Sequence, residues 1–135
     1  MIRQFHLNIT KPRGFHLITA DIARQIGSLP KSGLINIFCR HTSAGLTINE
    51  NCDSSVRVDF ETVFNRLVPE DESLYTHTAE GEDDMPAHIK STLVGPELTI
   101  PIINGELGLG TWQGIYFCEF RNISKPRTLI VTIYE

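Results

Sequence analysis

The sequence predicts an α+β fold with antiparallel hairpins, built as one domain over residues 1–135. Three observations support this prediction. Polar and apolar residues alternate near both ends of the chain, which is the pattern of strands. Two central segments carry apolar residues at helical spacing. The length of 135 residues suits a single hydrophobic core.

The first third of the chain alternates between extended and helical patterns. Residues 1–10 alternate as a strand does, and residues 21–29 place Ile22 and Ile26 on one helical face before Pro30 ends the helix. Residues 34–40 form a β-rich apolar run. Residues 46–49 form a short strand after a bend that contains glycine.

Two helices are predicted in the centre. Asp53 or Ser54 can cap the first, whose apolar stripe ends before Pro69. The stripe consists of Val56, Phe60, Val63 and Leu67. An acidic loop follows, and Asp83 or Asp84 can cap a second helix that has Pro86 in its first turn and Ile89 and Leu93 on its buried side.

The C-terminal third is rich in strands. Residues 98–103, 114–121 and 128–134 are predicted to be extended. Asn104-Gly105 indicates a tight turn after the first of these strands.

Composition excludes several classes of protein. The net charge is −4 and the basic residues are scattered, which does not favour a nucleic-acid partner. The sequence contains no apolar stretch of bilayer length and does not begin like a signal peptide, so a cytoplasmic location without membrane contact is expected. Cys39, Cys52 and Cys118 form no CxxC pair and are expected to be buried free thiols.

Histidines are the first group of candidate site residues. His41 follows a predicted strand, His77 lies in the acidic loop, and His88 lies one turn into a helix. Ligands from such different elements can converge on a catalytic metal. Their spacing matches no established metal motif, so spacing alone slightly favours structural hydrogen bonding.

Carboxylates form the second group. Only one of Asp83 and Asp84 is needed to cap the following helix, which leaves the other for a site. If the helix begins at Asp84, this residue shares a face with His88 and could fix its tautomer. Glu50 is a candidate general base with Asn49 as a substrate-positioning residue, although the pair could instead cap a helix together with Asp53.

The remaining candidates would contact substrate or an anion. Ser43 lies in a Thr-Ser-Ala-Gly bend where backbone can approach a phosphate. Thr111 and Gln113 flank Trp112 and would share a face opposite that ring, which is expected to anchor the core. Other candidates are Glu119 as a buried acid, Arg121 as its structural partner or a phosphate ligand, and Arg13 and Arg127 as secondary anion ligands.

Three long motifs, HTSAGLTINEN, EGEDDMPAHIK and GTWQG with Glu119 and Arg121, resemble those of the YjbQ family, which is often named secondary thiamine-phosphate synthase. The resemblance extends over the whole chain. It implies a compact, mainly antiparallel sheet with flanking helices, assembled as a homotrimer. It also implies that His41, His77 and His88 bind a divalent metal, with zinc as the first candidate. Many relatives carry Glu-His-Arg where this chain has Glu119-Phe120-Arg121, so a role for that histidine does not transfer.

The function expected from the resemblance is a metal-dependent reaction on phosphorylated small molecules. The specific reaction joins a pyrimidine methyl diphosphate to a thiazole phosphate and gives thiamine phosphate and pyrophosphate. The same residue types also suit a metal-assisted phosphate-ester hydrolase. A third possibility is a non-catalytic trimer that uses a bound metal or anion to stabilise its subunit interface.

Overall fold

The computed structural model describes residues 1–135 and contains two antiparallel sheets and three α-helices. The strands are β1 (Ile2–Ile9), β2 (Gly14–Leu17), β3 (Ser32–Cys39), β4 (Ala44–Glu50), β5 (Glu97–Ile103), β6 (Glu106–Leu107), β7 (Gln113–Glu119) and β8 (Arg127–Tyr134). The helices are α1 (Thr19–Ile26), α2 (Ser54–Leu67) and α3 (Asp84–Val94), and a 3-10 turn spans Glu72–Leu74. The predicted α+β, mainly antiparallel architecture is confirmed.

The two sheets form consecutive layers. The larger sheet, called sheet A, has the strand order β1-β8-β3-β5-β6, and the smaller sheet B has the order β2-β7-β4. The main core lies between them and includes Ile35 and Val131 from sheet A, Phe117 from sheet B, and Ile22 from α1. Burial of these apolar side chains supplies the hydrophobic free energy that holds the two sheets together.

Sheet B is covered on its other face by α2 and α3. Tyr116 and Cys118 of β7 point into a second apolar cluster with Phe15, Ala87 and Phe120. Because neighbouring strand residues face opposite sides of a sheet, β7 is buried on both faces, and its burial therefore does not alternate.

The helices differ in detail from the predictions. α1 begins at Thr19 and ends at Ile26, with Gly27 as its C-cap, so the predicted end at residue 29 is wrong. α2 begins, as predicted, at an Asp53 cap whose side chain accepts a hydrogen bond from Ser55 N–H. No residue of α2 is fully buried, so its predicted stripe covers sheet B only partly.

α3 buries a different face from the one predicted. Leu93 is exposed, whereas Asp84, Ala87 and Lys90 are buried. The helix packs against β4 at Gly45, where a Cβ would lie 2.8 Å from the carbonyl oxygen of Gly95. This close approach holds the C-terminal end of α3 against β4.

The predicted turn at Asn104-Gly105 is present, with φ of 52° and 79°. Both angles lie in the left-handed region that a tight hairpin turn requires. The short strands β2 and β6 were not predicted, because two to four residues give too little alternation to recognise. β2 is nevertheless an edge of sheet B, paired with β7.

Two predictions about buried side chains are wrong. Trp112 is 63% exposed, because it sits in the loop before β7 and not in the core. Cys52 is exposed, whereas Cys39 and Cys118 are the buried free thiols that were expected. No helix of this chain combines the length and hydropathy that a membrane crossing requires.

The outer face of sheet A carries two apolar rows. In one row, Ile2, Tyr134, Leu34 and Pro101 stand opposite one another on four adjacent strands, and all are exposed. In the other row, Phe38 of β3 stands opposite Ile130 of β8, and Phe38 is also exposed. We call these residues the outer apolar rows.

Candidate functional site

Three polar side chains converge at the start of α3. His77 Nε2 lies 2.8 Å from Asp84 Oδ2, and His88 Nε2 lies 3.2 Å from the same oxygen. One potential ligand atom from each residue lies within 4.8 Å of the other two. We call His77, Asp84 and His88 the His-Asp-His cluster.

Local structure explains how the cluster forms. Because α3 begins at Asp84, His88 lies four residues later, on the same helix face. His77 comes from the loop that precedes the helix. The Asp84 side chain is only 1% exposed, whereas that of His77 is 52% exposed, so the cluster is open on the His77 side.

Arg121, which follows β7, fixes both acidic residues at this helix start. Its Nη1 donates to Asp84 Oδ1 at 2.6 Å and its Nε donates to Asp83 Oδ2 at 2.9 Å. Asn122 N–H also donates to Asp83. Asp83 makes no side-chain hydrogen bond to the helix N-terminus, so the predicted capping role is wrong: Arg121 and Asn122 occupy the carboxylate instead.

The charges stabilise the ionised carboxylates. Burial alone would raise the pKa of Asp84, but the two imidazoles and Arg121 hold it below its ordinary value. Burial would likewise raise the pKa of Asp83, and Asn122 N–H and Arg121 hold it low. The same two carboxylates raise the pKa of Arg121 against its own desolvation. Asp84 therefore presents a carboxylate, not a carboxylic acid, to the two histidines.

The His88 ring has a defined tautomer. Its Nδ1 lies 2.9 Å from the carbonyl oxygen of Thr42, which can only accept, so Nδ1 carries a proton. In the neutral ring, Nε2 then directs a lone pair at the Asp84 carboxylate. Two facing lone pairs repel each other, and either a second proton on the ring or a bound cation removes this repulsion.

The donor set suits a divalent transition metal. Two imidazoles and one carboxylate are found at catalytic zinc sites and at non-haem iron sites, both of which leave coordination positions open. The hydrogen bond from His88 to Thr42 and the ion pair from Arg121 to Asp84 correspond to the outer contacts that orient metal ligands. The residues present therefore fit a metal.

His41 does not join this cluster. Its Nε2 accepts a hydrogen bond from Thr128 N–H at 2.8 Å, and that nitrogen is therefore unavailable to a metal. Of the three histidines predicted to bind a metal, the structure brings together His77 and His88, and Asp84 lies with them where His41 was expected.

Glu119 and Ser43 surround a buried arginine. Arg127 donates to Glu119 through Nε at 2.8 Å and through Nη2 at 2.6 Å, and its Nη2 also donates to Ser43 Oγ at 2.9 Å. Glu119 is fully buried. These contacts leave Ser43 and Arg127 engaged with the protein, so neither takes the anion-binding role expected of it in this structure.

A second predicted group lies at the other end of sheet B. β4 and β7 pair antiparallel, with Ala44 opposite Glu119 and Glu50 opposite Gln113. Glu50 is therefore about 20 Å from Ala44, at roughly 3.3 Å per residue. The four predicted residues at this far end are Asn49, Glu50, Thr111 and Gln113.

The side chains at the far end serve local structure. The Glu50 carboxylate accepts hydrogen bonds from the N–H groups of Cys52 and Asp53 before α2, as the capping alternative predicts. Gln113 Oε1 accepts from Gly110 N–H, and Asn49 Oδ1 accepts from Glu50 N–H. The Thr111 backbone accepts from Asn51. Within one chain, Glu50 therefore lies at the opposite end of sheet B from His88, which contacts Thr42.

Arg13 is likewise occupied. It pairs with Glu61 and Glu70, and its Nη2 donates to Asn65 Oδ1 at 2.7 Å. Lys90, only 1% exposed, donates to the same amide oxygen. Arg13 therefore links the N-terminal segment to α2 and is not free to bind an anion.

The sequence did not indicate several buried contacts that support the candidate site residues. Thr128, which binds His41, lies 87 residues away along the chain, and no local pattern indicates such a pair. Lys90 was also missed, although its position three residues after Ala87 could have placed it on the buried face. Phe120 packs against Phe15 and Phe64.

The chain is similar to known proteins in sequence and in fold. The family described as UPF0047 protein YjbQ-like matches residues 3–135. UPF0047 protein YjbQ of Salmonella typhimurium is 50% identical over 91% of this chain and 90% of that protein. A yjbq/upf0047 family structure from Clostridium acetobutylicum is 36% identical with a TM-score of 0.80, covering 98% of this chain and 99% of that one. A conserved hypothetical protein from Thermus thermophilus is 30% identical with a TM-score of 0.84, covering 96% of this chain and 99% of that one.

Proposed function

We propose that this chain, which belongs to the UPF0047 protein YjbQ-like family, is a metal-dependent enzyme that acts on phosphorylated small molecules. Its resemblance to that family implies chemistry of this kind. The observation that carries the proposal is the convergence of His77, Asp84 and His88 on one point. These residues would hold the ion, and zinc is the first candidate for that donor set.

A divalent ion bound there would act as a Lewis acid on a phosphoryl oxygen. The chain's own residues supply orientation. Arg121 holds the Asp84 carboxylate in place, and Thr42 holds the His88 ring with Nε2 directed at the cluster. Both contacts reduce the freedom that the ligands would otherwise lose on binding.

The specific reaction we propose is of the thiamine-phosphate synthase type. A thiazole phosphate nitrogen would attack the methylene carbon of a pyrimidine methyl diphosphate, and the carbon–oxygen bond to pyrophosphate would break. The family resemblance supports this reaction. Because Arg13, Arg121 and Arg127 are all engaged with carboxylates, none of them is free to neutralise the departing pyrophosphate.

One observation favours a second candidate, a metal-assisted phosphate-ester hydrolase. The cluster supplies three protein ligands, and the half-exposed His77 side chain leaves it open to solvent. Three ligands with an open position are the arrangement of hydrolytic metal sites.

Metal analysis of native-purified protein tests the proposal. We expect about one divalent ion per chain, lost in Asp84→Asn and in His88→Ala, because each variant removes one of three ligands. Asp84→Asn keeps the volume of a buried side chain, and Glu82→Gln in the exposed loop is the matched control. Elemental mass spectrometry measures the ion.

Activity assays then separate the candidates. Pyrophosphate release that depends on both the pyrimidine diphosphate and the thiazole phosphate indicates the transfer, and release of phosphate from a single ester indicates the hydrolase. If the metal-free protein keeps full turnover, or wild-type protein binds no divalent ion after incubation with excess metal, the proposal is wrong. If removal of the metal abolishes assembly, and the metal-loaded protein shows no turnover in either assay, the protein is the non-catalytic metal trimer.

We also propose that the chain assembles as a homotrimer through the outer apolar rows of sheet A. The family resemblance implies the trimer, and the row of Ile2, Tyr134, Leu34 and Pro101 supports this location because it is exposed on four adjacent strands. Exposed apolar surface of this kind is typical of protein–protein contact.

A further inference from the structure

A polar depression is lined in part by His88, whose Nε2 faces Asp84. Its volume is about 580 Å³, which is within the range of small-molecule sites. It lies between the loop after β3 and the exposed side of α3. The lining residues are His41, Thr42, His88, Ser91, Thr92 and Pro96.

The protein fixes the tautomer of His41 in this depression. A backbone N–H can only donate, so the 2.8 Å contact from Thr128 N–H requires His41 Nε2 to accept. In the neutral ring the proton is then on Nδ1. The Nδ1–H makes no hydrogen bond within the chain, so His41 offers one donor in a fixed position.

The other polar groups differ in their availability. Ser91 Oγ donates to the Ala44 carbonyl, and Thr92 Oγ1 donates to the His88 carbonyl. The Thr42 hydroxyl makes no hydrogen bond within the chain, although its backbone carbonyl accepts from His88. Two free donors therefore remain, the Nδ1–H of His41 and the hydroxyl of Thr42.

The local charges favour an anion. No carboxylate lines the depression. Desolvation and the positive charges of Arg127, Arg40 and Lys125 lower the pKa of His41, against the opposing effect of Glu119. The ring is therefore neutral at pH 7, and the same positive charges attract an oxyanion.

We propose that this depression binds the phosphoryl group of the substrate, with His41 Nδ1–H and the Thr42 hydroxyl donating to its oxygens. This inference rests on the proposed action on phosphorylated small molecules. His88 both lines the depression and belongs to the His-Asp-His cluster, so a phosphoryl group bound there would lie beside the proposed metal ligands. His41 acts as a fixed donor and not as a metal ligand or proton source.

The tautomer is tested directly by two-dimensional nitrogen NMR of histidine-labelled protein at pH 7.5. We expect the His41 signals of a ring protonated at Nδ1, and a further shift of the Nδ1 resonance on titration with inorganic phosphate. A ring protonated at Nε2, or a His41 signal that phosphate does not move, would overturn the proposal.

Two substitutions separate the two ring nitrogens. His41→Gln places its amide near the position of Nε2, so it can accept from Thr128 but offers no donor at Nδ1. His41→Asn places its amide near Nδ1 and loses the Thr128 contact. We expect His41→Gln to weaken phosphate binding by roughly 10- to 100-fold with little change in melting temperature, as loss of a hydrogen bond to a charged group does.

His41→Asn should show the reverse pattern, with phosphate affinity within about threefold of wild type and a lower melting temperature. His6→Gln, on the exposed side of β1, is the matched control. Calorimetry with inorganic phosphate measures affinity. Unchanged phosphate binding in His41→Gln would refute the proposal.

Failure of this inference and failure of the proposed function give different results. If His41→Gln binds both metal and phosphate as wild type does, the depression is not the phosphoryl site, and the metal enzyme still stands. If the wild type binds phosphate through His41 but binds no metal, the proposed function is wrong and the phosphate site stands.

Discussion

Two histidines beside one depression carry the same tautomer with opposite consequences. His88 uses its Nδ1–H on the Thr42 carbonyl, which leaves Nε2 directed at Asp84. His41 uses Nε2 on Thr128 N–H, which leaves Nδ1–H free. The backbone partner therefore decides whether the imidazole presents a lone pair or a proton to a ligand.

This arrangement predicts a pH effect on stability. The folded pKa of His41 is below its ordinary value of about 6.5, so the unfolded chain binds the proton more readily. The stabilisation is complete above that ordinary value and is lost as the pH falls through the folded pKa. We expect the free energy of unfolding to decrease on acidification below pH 6.5.

Urea denaturation between pH 5 and 8 measures this effect, with His41→Gln as the variant that lacks the titrating ring. The wild type should lose stability relative to the variant as the pH falls, because only the wild type carries the titrating ring. A constant difference over that range would show that His41 does not titrate as described.

At the residue scale the sequence predicted part of the site. His77, Asp84 and His88 lie within twelve residues of one another, and four-residue helical spacing was enough to pair two of them. The role of His41 was not predictable, because its partner Thr128 belongs to a strand that reaches it only through the sheet.

At the scale of elements, one ion pair joins the two sheets. Glu119 ends β7 of sheet B and Arg127 begins β8 of sheet A, and both are buried. Ser43 accepts from the same guanidinium just before β4 begins. The pair therefore fixes how one sheet lies against the other at the end where His41 is located.

Breaking this pair should destabilise the protein strongly. Glu119→Ala leaves the Arg127 charge buried without a counter-charge, and we expect a loss of about 3–5 kcal/mol in the free energy of unfolding. Replacing both residues with apolar side chains, as in Glu119→Leu with Arg127→Met, should recover most of that loss. Urea denaturation measures both.

Glu97→Gln, an exposed carboxylate on β5, is the control and should change the free energy of unfolding by less than about 0.5 kcal/mol. A Glu119→Ala protein as stable as this control would show that the ion pair does not hold the sheets.

Strand pairing is also what separates the predicted residues. The sequence predicted β4 and β7 as strands, but it did not indicate which would pair or in which direction. Their antiparallel register carries Ser43 and Glu119 to one end of sheet B and Glu50 and Gln113 to the other. Register depends on contacts distant in sequence, so a single site was predicted where there are two groups.

At the scale of the whole molecule, assembly is the property to test. A charge within the outer apolar rows would be buried without a partner in the proposed trimer, so Leu34→Glu should give monomers. Light scattering after gel filtration measures the mass, and circular dichroism shows whether the fold is kept.

Val58→Glu is the matched control, because Val58 is 62% exposed on α2, the helix that covers the opposite side of the protein. This variant should keep the mass of the wild type. If Leu34→Glu also keeps that mass, sheet A does not form the interface.

The strand order of sheet A also sets the order of events during synthesis. β8 lies between β1 and β3, so β1 has no neighbour in the sheet until Arg127–Tyr134 has left the ribosome. Contacts between such distant segments form slowly, because a long loop must close before they do. The first strand made must therefore wait for the last, and during translation its edge is open to other chains.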